Sequence, residues 1–250
     1  MQVSVPAEKI DKAIVKINEA LESTSLTLRN LQSLIGTLSF ICKAIAPGRP
    51  FLRRLIDITC GVSSPNHHLK LSDGAKCDLK LWLLFLEKFN GVSMIPDQVW
   101  TSIVDIQFFT DSSGEACGGF YANRWFQTRW PGNIGRVRSI AWLELFPILV
   151  AVTLWGHLLQ GKRIILRSDN MSVIAIINKQ TSKCPEIMKL VRFFILQCLK
   201  FNLSFYAKHI PGKENNIADA LSRFQMRRFR ELAPQAAVEC TPVPGFLWNL

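Results

Sequence analysis

The chain has 250 residues, 48% of them hydrophobic and 20% charged, which excludes an intrinsically disordered protein and leaves room for one large or two small cores. Thirty Lys and Arg against nineteen Asp and Glu give a net charge of +11. That surplus suits a polyanion, nucleic acid first, through phosphate neutralisation and counterion release, with an anionic lipid surface as the competing partner class. Seven cysteines without a CxxC pair, and an N-terminus, MQVSVPAEKIDK, that does not read as a signal peptide, point to free thiols in a reducing intracellular compartment. Nucleus and cytoplasm fit equally. His67, His68 and Cys77 offer too few ligands for a zinc site.

The first hundred residues read as helical. Ile10, Ile14, Ile17 and Leu21 recur every three or four residues between Pro6 and the Ser23–Ser25 break, which predicts one amphipathic helix. A second helix is expected from about Leu28 to Ala46, stopping at Pro47-Gly48, and a third through FLRRLIDI. A fourth runs from about Gly74 to Phe89, where Leu79, Trp82, Leu83, Phe85, Leu86 and Phe89 supply a broad apolar face. Gly91 and Pro96 then punctuate the chain. A helical region over 1–95 and a second domain over 97–224 are the expected division.

From Ile103 the pattern becomes β-rich. IVDIQFFTD ends at Asp111-Ser112-Ser113-Gly114, and CGGFYA and WFQTRW follow with Asn123-Arg124 between them, which predicts a three-stranded antiparallel meander. A helix is expected over 139–159. Its WLELFPILVAVTLWGHLL is apolar enough to weigh as a membrane span, but Glu144, Pro147 and His157 make a buried helix the better reading and no membrane partner is expected. RIILRSD reads as a buried strand, Met171–Asn178 and Pro185–Lys200 as helices, LSFYAKH as a fifth strand and NNIADALSRF as a last helix. The order βββαβααβα predicts an α/β fold, a mixed sheet with helices packed on it. FQMRRFREL and the rest of 225–250 read as a basic tail with no assigned element.

Four carboxylates fall where this arrangement converges: Asp111 and Asp169 at two strand ends, Glu144 on the long helix and Asp219 on the last one. Singly, each is an ordinary turn former, cap or solvated charge. Together they would repel one another unless a divalent cation neutralised them. Oxygen ligands without Cys or His favour Mg2+ or Mn2+.

FFTDSSG with the GG strand after it, ELFPILVAVTLW, RSDN and HIPGKENNIADALSR resemble, in order, the motifs of the ribonuclease H domain of retrotransposon polyproteins. ELFPI, FNG and APGRPFLRRL are similar to the DIRS type in particular, with gypsy-like elements as relatives. The upstream helices resemble the thumb and connection that follow a polymerase palm. The resemblance implies a ribonuclease H-like five-stranded mixed sheet with flanking helices. It also implies a catalytic site in which Asp111, Glu144, Asp169 and Asp219 hold two Mg2+ or Mn2+ ions roughly 4 Å apart, and cleavage of the RNA strand of an RNA–DNA hybrid to 5′-phosphate products. The alternative is a nucleic-acid-binding remnant that no longer cuts. No YxDD-like hairpin precedes residue 100, so DNA synthesis by this chain alone is not expected, and a polymerase palm or another retroelement protein is the partner implied for the thumb-like helices.

The pattern has departures. His209 stands ten residues before Asp219, the separation of the histidine that assists turnover in cellular ribonucleases H, but its HIPG context also fits a purely structural role. Pro147, three residues after Glu144, is expected to kink the helix or delay its start. No basic insertion lies between Asn178 and Pro185. Grip on nucleic acid is therefore assigned to Ser112, Ser113, Asn170, Arg136, Arg138, Lys183, Lys213 and Arg223, with Lys179 and Lys208 as further cations. Trp125, Trp130 and Trp142 read as core first and as stacking platforms second.

Overall fold

A computed structural model of the chain describes residues 4–88 and 108–250. The chain divides into two compact units, Met1–Ser93 and Met94–Leu250. Phe89, Gly91, Pro96, the boundary read near residue 95 and the beginning of the first β-rich run lie outside the described residues.

The first unit contains α1 (Ala7–Glu22), β1 (Leu26–Thr27), α2 (Leu28–Ile41), a 3-10 turn over Ala46–Leu52, α3 (Arg53–Thr59), β2 (His68–Leu69) and α4 (Asp73–Lys88). Thr27 caps α2 by accepting from the Asn30 amide at 3.3 Å, the role a Thr at that position serves. The second helix ends at Ile41 rather than near Ala46. APGRPFL carries two prolines that cannot donate to an α ladder, and it winds as the 3-10 turn instead. The core joins Ala13, Ile17 and Ala20 of α1 to the leucines of α2 and to Leu79, Trp82, Phe85 and Leu86 of α4. The Trp82 ring lies where a side chain at Gly48 would project. Asp78, buried on α4, accepts from Arg54 at 2.8 Å. β1 and β2 form a two-residue antiparallel bridge, too short to leave a periodic signal.

The second unit is mixed α/β with small sheets. β3 (Phe109–Ser112), β4 (Ala116–Tyr121) and β5 (Arg124–Arg129) form an antiparallel ladder in which Asp111 faces Gly118. The hairpin turn is Ala122-Asn123, with φ of 46° and 68°, one residue earlier than the sequence reading put it. A two-residue loop of this hand needs positive φ at both central positions, so Arg124 becomes the first residue of β5. After the single turn α5 (Ile134–Val137) comes α6 (Ile140–Trp155), capped by Ser139 and extended by a 3-10 turn over Gly156–Leu159. Pro147 neither delays nor interrupts α6. The helix starts at Ile140, four residues before Glu144, which places Glu144 in the second turn. β6 (Arg163–Ser168), α7 (Met171–Lys179), α8 (Pro185–Lys200) and β7 (Ser204–His209) follow, β6 and β7 pairing in parallel. The chain then passes through α9 (Asn216–Ser222) and α10 (Met226–Leu232).

Among the described residues of the second unit the strands make one three-stranded and one two-stranded ladder rather than a single registered sheet of five. β3 lies beside β6, but it is only four residues long, which leaves little strand on which a ladder can register. α6 packs between β3–β4 and α8. Buried residues occur all round it, as expected of a helix enclosed on every side. By length and composition Ile140–Leu159 could cross a membrane, yet most of it is buried inside this unit. It is a core helix.

The segment after Arg223 is built into the same core. Phe229 on α10 is fully buried with Ala233 and Ala236 against Phe120 and Trp125. Trp125 donates its indole N–H to the Ala237 carbonyl at 2.7 Å, and Thr241 donates to the Trp125 carbonyl at 2.8 Å. A last 3-10 turn, Gly245–Asn249, stacks Trp248 on Phe146 with centroids 4.9 Å apart. The basic residues that dominate this stretch hid the spacing of Met226, Phe229 and Ala233.

α9 lies on β4 where the side chains vanish. A Cβ at Gly118 would stand 2.5 Å from Leu221 Cβ, so only glycine permits this approach. Gly118→Ala is expected to destabilise the protein by about 1–3 kcal/mol through overpacking. Denaturant unfolding should show a lowered midpoint with unchanged slope.

Candidate metal centre

Asp111 is the third residue of β3 and is 8% exposed. Its Oδ2 accepts from the Ser222 hydroxyl at 2.6 Å, which orients it. Glu144 reaches in from the second turn of α6 and hydrogen-bonds the Ser112 side chain. Asp169 follows β6 directly and is exposed. A side chain at Gly212 would meet its Oδ2 at 3.1 Å, so the HIPG turn sits against it. Ligand oxygens of Asp111, Glu144 and Asp169 all lie within 4.8 Å of one another.

Burial dominates the electrostatics. It pushes the Glu144 carboxyl up to about 8, with Asp111 and Asp169 adding to the rise and the Ser112 hydrogen bond opposing it. Burial likewise raises Asp111 to about 6, against the Ser222 hydrogen bond, with Asp169 and Asp219 as smaller contributors. Crowded, desolvated carboxylates of this kind are relieved by a divalent cation. Opposed ligands of Mg2+ stand about 4 Å apart, so a small inward movement of the three groups suits a hard cation.

Asp219, the fourth expected ligand, lies outside this cluster. Its Oδ1 accepts from Arg223 Nε at 2.6 Å and its Oδ2 from Arg228 Nη1 at 2.7 Å. Burial raises its pKa, but hydrogen bonds and charge from the two arginines prevail and hold it below the usual carboxylate range. Sequence spacing shows Asp219 and Arg223 one helical turn apart, whereas Arg228 arrives only through the corner between α9 and α10.

The other expected residues are dispersed. His209 is exposed at the end of β7, in register with Ser168, and does not enter the carboxylate cluster. Asn170 caps α7, its Oδ1 accepting from the Ser172 and Val173 amides. Ser113 donates to the Ser222 carbonyl at 2.8 Å and accepts from the Glu115 and Ala116 amides, pinning α9 to the β3–β4 turn. Arg138 pairs with Glu186 at 2.8 Å and lies over the Trp142 ring. Arg136, Lys183 and Lys213 are exposed. Trp125, Trp130 and Trp142 are buried, which makes them core rather than platforms.

Two residues outside the expected set shape the site. Ser222, fully buried, orients Asp111, and Asn215, 4% exposed, donates to the Thr110 carbonyl at 2.9 Å and ties α9 to β3. Both belong to the HIPGKENNIADALSR stretch, where their polarity inside a helical apolar pattern was the available signal.

No family model matches the sequence, and no curated protein matches it. Among solved structures the chain is similar to the foamy viral protease-reverse transcriptase dRH in complex with ds DNA. The match has 15% identity and a TM-score of 0.31, over 83% of this chain and 36% of the other. The chain thus spans about a third of that protein's length, and the similarity is distant.

Proposed function

We propose that the second unit is a divalent-metal-dependent nuclease that hydrolyses the RNA strand of RNA–DNA hybrids, with a ribonuclease H-like arrangement in which β3 and β6 are the central neighbours of five strands. The convergence of Asp111, Glu144 and Asp169 within 4.8 Å, from β3, α6 and the end of β6, carries this reading. Scattered surface acids do not meet with one member buried, a second half-buried and the pKa values of both raised.

In this reading Asp111, Glu144 and Asp169 present oxygens to Mg2+ or Mn2+, Ser222 fixes the rotamer of Asp111, and Ser112 steadies Glu144. The bound ions supply Lewis-acid activation of water and charge stabilisation of the departing 3′ oxygen. The chain's net charge of +11 supplies most of the affinity for the polyanion. A shallow, A-like groove and the 2′-hydroxyls provide the basis for choosing hybrid.

A second reading, a nucleic-acid-binding module that does not cut, is favoured by the occupation of Asp219 by two guanidinium groups. Incubating the chain with labelled RNA–DNA hybrid and Mg2+, beside single-stranded RNA, duplex RNA and duplex DNA, separates the two. Metal-dependent cutting of RNA in the hybrid, abolished by Asp169→Asn, supports the nuclease. Binding without cutting at any metal concentration supports the second reading.

A further inference from the structure

We infer that Arg228, together with Arg223, forms a phosphate-binding pair for the nucleic-acid backbone, which Asp219 occupies while no strand is bound; the inference rests on the nuclease reading for the identity of the strand. Two guanidinium groups share one carboxylate, so the trio carries a surplus positive charge. Arg228 is held by three acceptors at once, Asp219 Oδ2, Gln225 Oε1 and Asn216 Oδ1, at 2.7, 2.8 and 3.1 Å. It nevertheless remains 39% exposed, and Arg223 58% exposed. A forked, half-open guanidinium already holding an anionic oxygen is the geometry that receives a phosphate. Exposed ion pairs are individually weak, so exchanging Asp219 for phosphate costs little.

The corner that brings Arg228 back onto α9 is strained. Phe224 sits there with φ of 55°, a conformation costly for a bulky aromatic residue. Its ring stays 36% exposed, with the Arg129 guanidinium 4.8 Å from its centroid. The corner therefore gathers three arginines and an open aromatic face. It also adjoins the carboxylates, since Asp111 feels the charges of both Asp219 and Arg223. Backbone phosphate bound here would run past Asp111, Glu144 and Asp169.

The test is hybrid binding by the full chain in EDTA, where nothing is cut, measured at several salt concentrations. Asp219→Asn leaves both guanidinium groups charged but removes the anion they share, and should tighten binding by about threefold. Arg228→Gln should weaken it by about fivefold and reduce the slope of log K against log salt by about 1. Arg228→Lys should keep the slope while losing part of the affinity. Unchanged or weaker binding by Asp219→Asn, or an unchanged slope in Arg228→Gln, would overturn the proposal and leave the pair a structural brace. If Arg228→Gln fails to fold, Asp219→Asn, which keeps the shape of the side chain and removes its charge and one acceptor oxygen, decides alone. Wild type that cuts hybrid while these substitutions leave binding unmoved refutes the pair only. Expected shifts in a wild type that never cuts refute the nuclease and keep the pair.

Discussion

Glu144→Gln is expected to abolish hybrid cleavage and at the same time raise the melting temperature of the metal-free protein near pH 8. Glu144 titrates at about 8 in the folded chain against 4.5 ordinarily, and Asp111 at about 6 against 3.8, chiefly because both are buried. The folded state thus binds these protons more tightly than the unfolded one. The stability they contribute is complete below about pH 4 and is lost as pH rises through about 6 for Asp111 and about 8 for Glu144. At about 1.4 kcal/mol per pKa unit, the loss for Glu144 alone is of several kcal/mol. Melts in EDTA from pH 4 to 8 should fall steeply for wild type and less for Glu144→Gln, while Mg2+ should flatten the wild-type curve. A Gln variant less stable than wild type at pH 8 would mean that the contact with Ser112 is structural and that the cost of burying the charge does not control stability here.

Removing residues 225–250 should cost the second unit its cooperative fold. The cut takes away Phe229, Ala233 and Ala236, uncovers Phe120 and Trp125, and strips the Trp125 indole of its Ala237 acceptor. It also removes Trp248 from Phe146. Losing one buried aromatic costs about 3–5 kcal/mol, and two such losses approach the 5–15 kcal/mol that holds a typical domain together. A chain over 94–250 is expected to melt cooperatively. One ending at 224, or at 230 inside α10, is expected to be molten or insoluble. A sharp, unshifted melt from the 94–224 chain would show that the terminal segment is accessory.

Much of the architecture was legible because local signals and tertiary demands agree. RIILRS and SFYAKH announce β6 and β7, and the run from Ile140 to Trp155 could only be a buried helix once Glu144 and Pro147 spoke against lipid. Asp111 and Asp169 were legible as acids at strand ends, and Glu144 as an acid inside an apolar helix. The illegible parts depend on approach rather than on pattern. The hairpin turn moved to Ala122-Asn123 because an alanine gives no hint that it will adopt positive φ. α10 was obscured by Arg227, Arg228 and Arg230, which line the outside of a helix whose Phe229 is wholly buried. The diversion of Asp219 from the cluster was invisible because it depends on Arg228, nine residues away and across a strained corner.

The carboxylate cluster is tested most directly by titrating Mn2+ into the full chain, by calorimetry and by melting temperature, for wild type and Asp169→Asn. Metal at a hundred times its dissociation constant stabilises a single site by about 2.7 kcal/mol, which for a unit of this size is about 5–10 °C. Saturable binding with such a rise is expected in wild type and neither in Asp169→Asn, whose exposed carboxylate completes the site. No heat of binding and an unmoved melting temperature in wild type, or the same response in both proteins, would contradict it.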